Sequence, residues 1–160
     1  MPKPFVDRAG SGLHAHVTLH SLETGDNVFK EAGAGEYEVS ELGWHFLGGI
    51  MNHAKGICAL TNPTVNSYKR LNADPTVSGA SWAPNTISYT GNNRTHMVRL
   101  PDAPRFEVRL ADAAVNPYLL PAAISAAGLA GMETEADPGE MLMCNMYSDD
   151  ADAVKARAER

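Results

Sequence analysis

Apolar and polar residues alternate without interruption over residues 13–20. Side chains on a strand switch face at every residue, so Leu13, Ala15, Val17 and Leu19 share one face and His14, His16, Thr18 and His20 the other. A second alternation covers residues 105–110, with Phe106, Val108 and Leu110 opposed to Arg105, Glu107 and Arg109. The period changes after Ser40. Leu42, Phe46, Ile50, Ala54 and Ile57 recur at helical spacing, with Leu47, Met51 and Cys58 beside them. This predicts a helix over about 40–59 with a broad buried face. Ser40 is a good N-cap type, and Asn62-Pro63 gives the stop, because the residue before a proline avoids the α region.

Asn116-Pro117 opens a second helix, with Asn as cap and Pro in the first turn, running through Ala-rich sequence to about Gly131. Pro121, one turn in, is expected to forfeit a backbone hydrogen bond and kink it. Strand-like runs at 86–89 and 96–100 add to the sheet, residues 1–5 form an extended entry confined by Pro2 and Pro4, and 151–160 has the pattern of a further helix. Glu23-Thr24-Gly25-Asp26 and Asp137-Pro138-Gly139 are turns. Residues 61–93 are polar, rich in Gly, Pro, Asn and Ser, and without a sustained period, which reads as one long functional loop. The sum is an α+β chain, antiparallel strands backed by helices, with no internal repeat.

Composition narrows the partners. The 160 residues, 44% hydrophobic and 20% charged, suit one ordinary core. A net charge of −6 argues against nucleic acid or an anionic membrane as partner, so an anionic substrate must be caught by local arginines. Cys58 and Cys144 form no CxxC and suggest a reduced, cytoplasmic setting. No segment has the length to span a bilayer, and the first residues lack the apolar centre of a signal peptide.

His14 and His16 form an HxH pair that presents two imidazoles on one face, as metal sites do, although surface histidines give the same pattern. The preceding Gly10-Ser11-Gly12 allows close backbone approach to a ligand. Lys69, Arg70, Arg94, Arg99, Arg105 and Arg109, six of thirteen basic residues, fall between 69 and 109. Such a cluster in an acidic chain suits carboxylate or phosphate, because arginine binds both through two parallel donors. Trp82, Tyr89 and Tyr118 suit either packing or the lining of a substrate site, packing being the better reading, and the methionines 132, 141, 143 and 146 read as gap-filling residues.

Together these segments resemble the glutamine synthetase family. The matches are GSGLHAH at 10–16, NPTVNSYKRL at 62–71, NNRTHMVRLP at 92–101, RFEVRLADAAVNPYL at 105–119 and AGLAGM at 127–132, in the family's order. SGASWAPN at 78–85 resembles the type III subgroup, which includes γ-glutamylmethylamide synthetases. The resemblance implies that His14 and Glu107 ligate one of two divalent cations, Mg²⁺ or Mn²⁺, and that His16 and Arg105 hold ATP phosphates. It implies that Gly10 lends its backbone to glutamate, that Arg70 and Arg109 bind substrate carboxylates, and that Arg94 and Arg99 steady the transferring phosphoryl group. The implied activity is ATP-dependent ligation of L-glutamate with ammonia, through γ-glutamyl phosphate, in a homo-oligomer of stacked rings.

Departures qualify the match. Ala9 stands where the family usually has asparagine, and Thr76 where a flap glutamate handles ammonium, which opens the way to methylamine or another small amine as nucleophile. Tyr147 aligns with a tyrosine adenylylated in some bacterial members, but its flanks differ too much to carry regulation. The family's N-terminal β-grasp domain and the other acidic metal ligands do not occur in residues 1–160, so the chain reads as a partial catalytic domain, inactive alone. Two other readings are a non-catalytic relative kept for binding or structure, and a small metal-binding protein using His14 and His16.

Overall fold

The computed structural model describes residues 1–71, 73, 82–102 and 104–147. Strand β1 (Ala15–Val17) is followed by helices α1 (Glu41–Thr61) and α2 (Val65–Leu71), strands β2 (Tyr89–Thr90), β3 (Val98–Arg99) and β4 (Phe106–Val108), and helix α3 (Leu119–Glu133). The strands form one sheet in the order β1-β4-β3-β2. β4 pairs antiparallel with both β1 and β3, and its Glu107 lies opposite His16 on one side and Arg99 on the other. Residues paired across strands share a face, so this register gathers the polar side chains on one side of the sheet. Ala15, Val108, Val98 and Tyr89 take the other side, towards the core.

The helix predicted from Ser40 forms as α1. Ser40 Oγ accepts the Gly43 N–H at 3.1 Å and donates to Val28 O at 2.8 Å, so the cap also ties the helix to the chain before it. The helix ends at Thr61, and the Asn62 N–H closes it on Cys58 O. Phe46 of α1 packs at 4.9 Å from Phe29, which in turn lies 5.1 Å from Phe106 of β4. These rings join helix to sheet. α1 and α3 approach closely at glycines: a Cβ on Gly49 would meet the Ala127 carbonyl and Gly131, and one on Gly128 the Phe46 ring.

Three expectations change. The stretch 61–93 is not one loop, because α2 lies inside it. Thr64 and Ser67 bond each other's N–H and hydroxyl groups, which starts a helix of 7 residues, too short to show a period. Pro121 kinks nothing by loss of a bond. Asn116 Oδ1 accepts the Tyr118 and Leu119 N–H groups at 2.9 and 3.3 Å, the helix starts at Leu119, and Pro121 falls in the first turn, where N–H groups lack helical partners in any case. Finally, β2 and β3 pair parallel. Residues 91–97 arch back because Asn93 Oδ1 takes both the N–H and the hydroxyl of Thr95, at 3.0 and 2.9 Å. The predicted turns form at Gly25 and Gly139, both with positive φ. The expected helix at 151–160 and Thr76 lie outside the described residues. No helix among the described residues is long and apolar enough to cross a membrane.

Candidate functional site

The polar face of the sheet is not the half-exposed surface that alternation usually marks. Glu107 is 3% exposed, Arg99 8% and Arg109 4%. A buried guanidinium must be paired or held for a ligand. Glu107 is the hub: its Oε2 lies 2.5 Å from Arg99 Nε, and its Oε1 lies 3.5 Å from Arg109 Nη1 and 3.0 Å from His14 Nδ1. One carboxylate thus serves two arginines and a histidine. Arg109 Nε has no hydrogen-bond partner among the described residues, although Nη2 donates to Trp82 O at 3.3 Å.

Arg70 reaches the same place from α2. Its Nη1 donates to Leu110 O at 3.2 Å, and its side chain runs past Gly10 with its methylenes and past Gly12 with its guanidinium. A Cβ on Gly12 would sit 2.6 Å from Arg70 Nη2, and one on Gly10 would sit 2.5 Å from Pro2 O and 3.3 Å from Arg70 Cγ. Backbone approach requires glycine at Gly10, and at Gly12 a side chain would displace the Arg70 guanidinium. Asp112, fully buried, lends Arg70 its charge; it accepts from Asn62 Nδ2 at 3.0 Å and from the Ala114 N–H at 2.9 Å.

Gly10, Gly12, His14, Arg70, Trp82, Ala83, Arg94 and Arg109 line a cleft of about 300 Å³. Three guanidiniums face it, while Glu107 and Asp112 are already engaged behind them. Burial pushes the Arg70 and Arg109 pKa values below the usual arginine range. For Arg109, Glu107 opposes this, and the charges of Arg99 and Arg94 add to it. The cations stay protonated, so the crowding is relieved when an anion enters. Burial, then Arg109, also lowers the pKa of His14 against the pull of Glu107. A neutral imidazole beside a carboxylate is a metal-compatible donor pair.

The structure therefore brings together Gly10, His14, Arg70, Arg94 and Arg109 at the cleft, with Glu107 directly behind. Arg99 lies under Glu107 and is not among the cleft's lining residues. His16 is exposed on β1 opposite Glu107, and Arg105 pairs at 2.6 Å with Asp102 instead of facing the cleft. No group of three or more His, Cys, Asp or Glu side chains fit to hold a metal occurs among the described residues. The His14–His16 metal reading thus gains no third ligand there, and His14 with Glu107 fits a divalent ion as part of a larger donor set. Sequence reading passed over Asp112, Asn62 and Ala83 as parts of the site, and preferred packing to substrate lining for Trp82, which lines the cleft. Asp112 and Asn62 both lie inside the matched motifs, Asp112 just after the alternating run 105–110 and Asn62 at the start of 62–71, but neither was given a role at the site.

Residues 1–158 match the family model described as glutamine synthetase, catalytic domain. The chain is 56% identical over 149 residues to a glutamine synthetase of Rhizobium meliloti (strain 1021), covering 93% of this chain and 34% of the relative. It is 44% identical over 148 residues to a glutamate–methylamine ligase of Methyloversatilis universalis, covering 92% and 33%. Among solved structures, the GmaS/ADP complex in conformation 1 superposes with a TM-score of 0.87 at 58% identity, over 97% of this chain and 35% of that one. The chain spans about a third of the length of the curated relatives it matches.

Proposed function

Because the chain belongs to the glutamine synthetase family, we propose that it is part of the catalytic domain of an ATP-dependent ligase that joins L-glutamate to ammonia or a small amine. The observation that carries this reading is the local excess of positive charge: the buried Arg70 and Arg109 and the exposed Arg94 converge on one cleft, which His14 also lines, with Glu107 behind it. A dicarboxylate substrate and a phosphoryl group in transfer are both anions of that size and need.

Each residue has a task in the reaction. Arg70 and Arg109, with the Gly10 backbone, hold the carboxylates of glutamate. The γ-carboxylate oxygen attacks the terminal phosphorus of ATP, the bond to ADP breaks, and γ-glutamyl phosphate forms. Arg94 at the cleft wall offsets charge on the transferring group. Arg99 keeps Glu107 oriented through their ion pair. His14 and Glu107, with further donors, would hold a divalent ion, Mg²⁺ or Mn²⁺, which would supply charge neutralisation for the phosphoryl transfer. His16 and Arg105 extend the same face towards the phosphates of ATP, with Arg105 exchanging Asp102 for them. The amine nitrogen then attacks the acyl carbon, the carbon–oxygen bond to phosphate breaks, and the nitrogen loses a proton. The wall formed by Trp82 and Ala83 helps exclude water, which would otherwise hydrolyse the acyl phosphate.

The amine is the open variable, and the likeness to both a glutamine synthetase and a glutamate–methylamine ligase supports testing two nucleophiles. Phosphate release is measured with glutamate, Mg-ATP and either ammonia or methylamine, on the intact protein that carries these residues. Arg109→Ala should lower kcat/KM for glutamate at least 100-fold with either amine, the scale expected of a charged contact to the reacting groups. Release of phosphate that is independent of glutamate, or unchanged in the variant, would overturn the proposal.

A further inference from the structure

Trp82 and Ala83 form one wall of the anion cleft, yet no regular element holds them. Their two carbonyls are both engaged. Trp82 O accepts from Arg109 Nη2 at 3.3 Å, and Ala83 O accepts the Tyr147 hydroxyl in a short hydrogen bond. Tyr147 closes a segment that is anchored to the opposite wall. Cys144 O takes Asn93 Nδ2 at 3.0 Å and the His96 ring at 2.8 Å, and the Met146 N–H donates to Thr95 Oγ1 at 3.1 Å. These partners make up the arch 91–97, which carries Arg94 into the cleft. The segment 144–147 therefore spans from the Arg94 wall to the Trp82–Ala83 wall.

We propose that Tyr147 is a positioning residue for the anion cleft, its hydroxyl fixing the Trp82–Ala83 wall so that Arg109 is aimed and the cleft keeps its width. Tyr147 acts through the wall and is not assigned contact with substrate. Burial raises its pKa against the opposing charges of Arg109 and Arg70, so the hydroxyl stays protonated and donates. The inference rests on the anion-cleft reading above.

The test uses the full chain carrying Trp44→Phe, which leaves Trp82 as the one tryptophan of two. Acrylamide quenching of Trp82 reports the wall, and inorganic phosphate titrated against Trp82 fluorescence reports the cleft. Tyr147→Phe should raise the quenching constant and weaken phosphate binding about three- to tenfold, the scale of one lost hydrogen bond. Tyr89→Phe is the control. It removes a comparable tyrosine-to-carbonyl bond, Tyr89 to Gly139 O at 2.7 Å, away from the cleft, and should leave both readings unchanged whatever it does to the melting temperature. Phosphate affinity and quenching in Tyr147→Phe equal to the parent overturn the latch while leaving the anion cleft intact. Absence of phosphate binding in the parent, with quenching still raised by Tyr147→Phe, instead overturns the anion-cleft reading and with it any role of Tyr147 in binding.

Discussion

Glu107 is the residue on which the local account turns, because it faces two arginines and a histidine while 3% exposed. Glu107→Gln keeps the shape and removes the charge, leaving Arg99 and Arg109 buried without a counter-ion. Denaturant unfolding should show a loss of about 3–5 kcal/mol, the range for breaking a buried pair from one side. His96 makes a separate prediction. Its ring is fully buried between Ser88 Oγ at 3.0 Å and Cys144 O at 2.8 Å. Burial lowers its pKa from 6.5, against a smaller opposing effect of the Cys144 carbonyl. Below about 6.5 the unfolded chain binds a proton that the folded chain refuses, so stability is full above that pH and falls as the pH drops through the window beneath it. His96→Asn should flatten the dependence of melting temperature on pH between about 5.5 and 6.5; a slope equal to the parent's would show that His96 is not its source. These two residues also differ in legibility. Glu107 stood out because charge alternated with Phe106 and Val108, and the pairing register then placed it between His16 and Arg99. Nothing in the one-dimensional pattern showed that Asp112 and Asn62 would meet beside Arg70, since that contact joins positions 50 apart in the chain.

Among the elements, α1 was legible because its 21 residues repeat a period and carry their own cap and stop signals. β2 and β3 were blurred, because strands of 2 residues have no period to read and their parallel pairing depends on side-chain bonds within the 91–97 arch. α2 was invisible for the same reason of length, and with it the structural ground for Arg70 facing Gly12; the arginine cluster marked Arg70 as a candidate, and the resemblance to a family gave it a role. The α1–α3 contact depends on glycine spacing, which hydrophobic periodicity does not weigh. Gly49→Ala would press a methyl group into the Ala127 carbonyl and Gly131 and force the helices apart, a loss of roughly 1–3 kcal/mol or more. Gly56→Ala, on the exposed side of the same helix with open space around it, should instead gain about 0.5–1 kcal/mol. Thermal melts of the two variants check both signs; equal effects would mean that helix propensity, not the contact, governs this helix.

For the molecule as a whole, the informative contrast is between a net charge of −6 and a cleft walled by three guanidiniums. The overall field repels anions, so capture depends on short-range, paired donors and not on steering. α1 and α3 back the core side of the sheet, and their burden is to hold β4 at a fixed height so that Glu107 and Arg109 stay aligned with Arg70 from α2 and His14 from the chain entering β1. β1 is an edge of the sheet, and His14 and His16 are displayed there beside the cleft. Such a face leaves both imidazoles open to further donors, and the chain spans about a third of its relatives' length. The most direct test of the central claim is calorimetric titration with L-glutamate of the intact protein that carries these residues, for the parent and for Arg109→Gln. The account predicts one saturable site per chain in the parent and at least tenfold weaker binding in the variant, the cost of one charge-assisted contact. Binding that is absent in the parent, or equal in the two proteins, would contradict it.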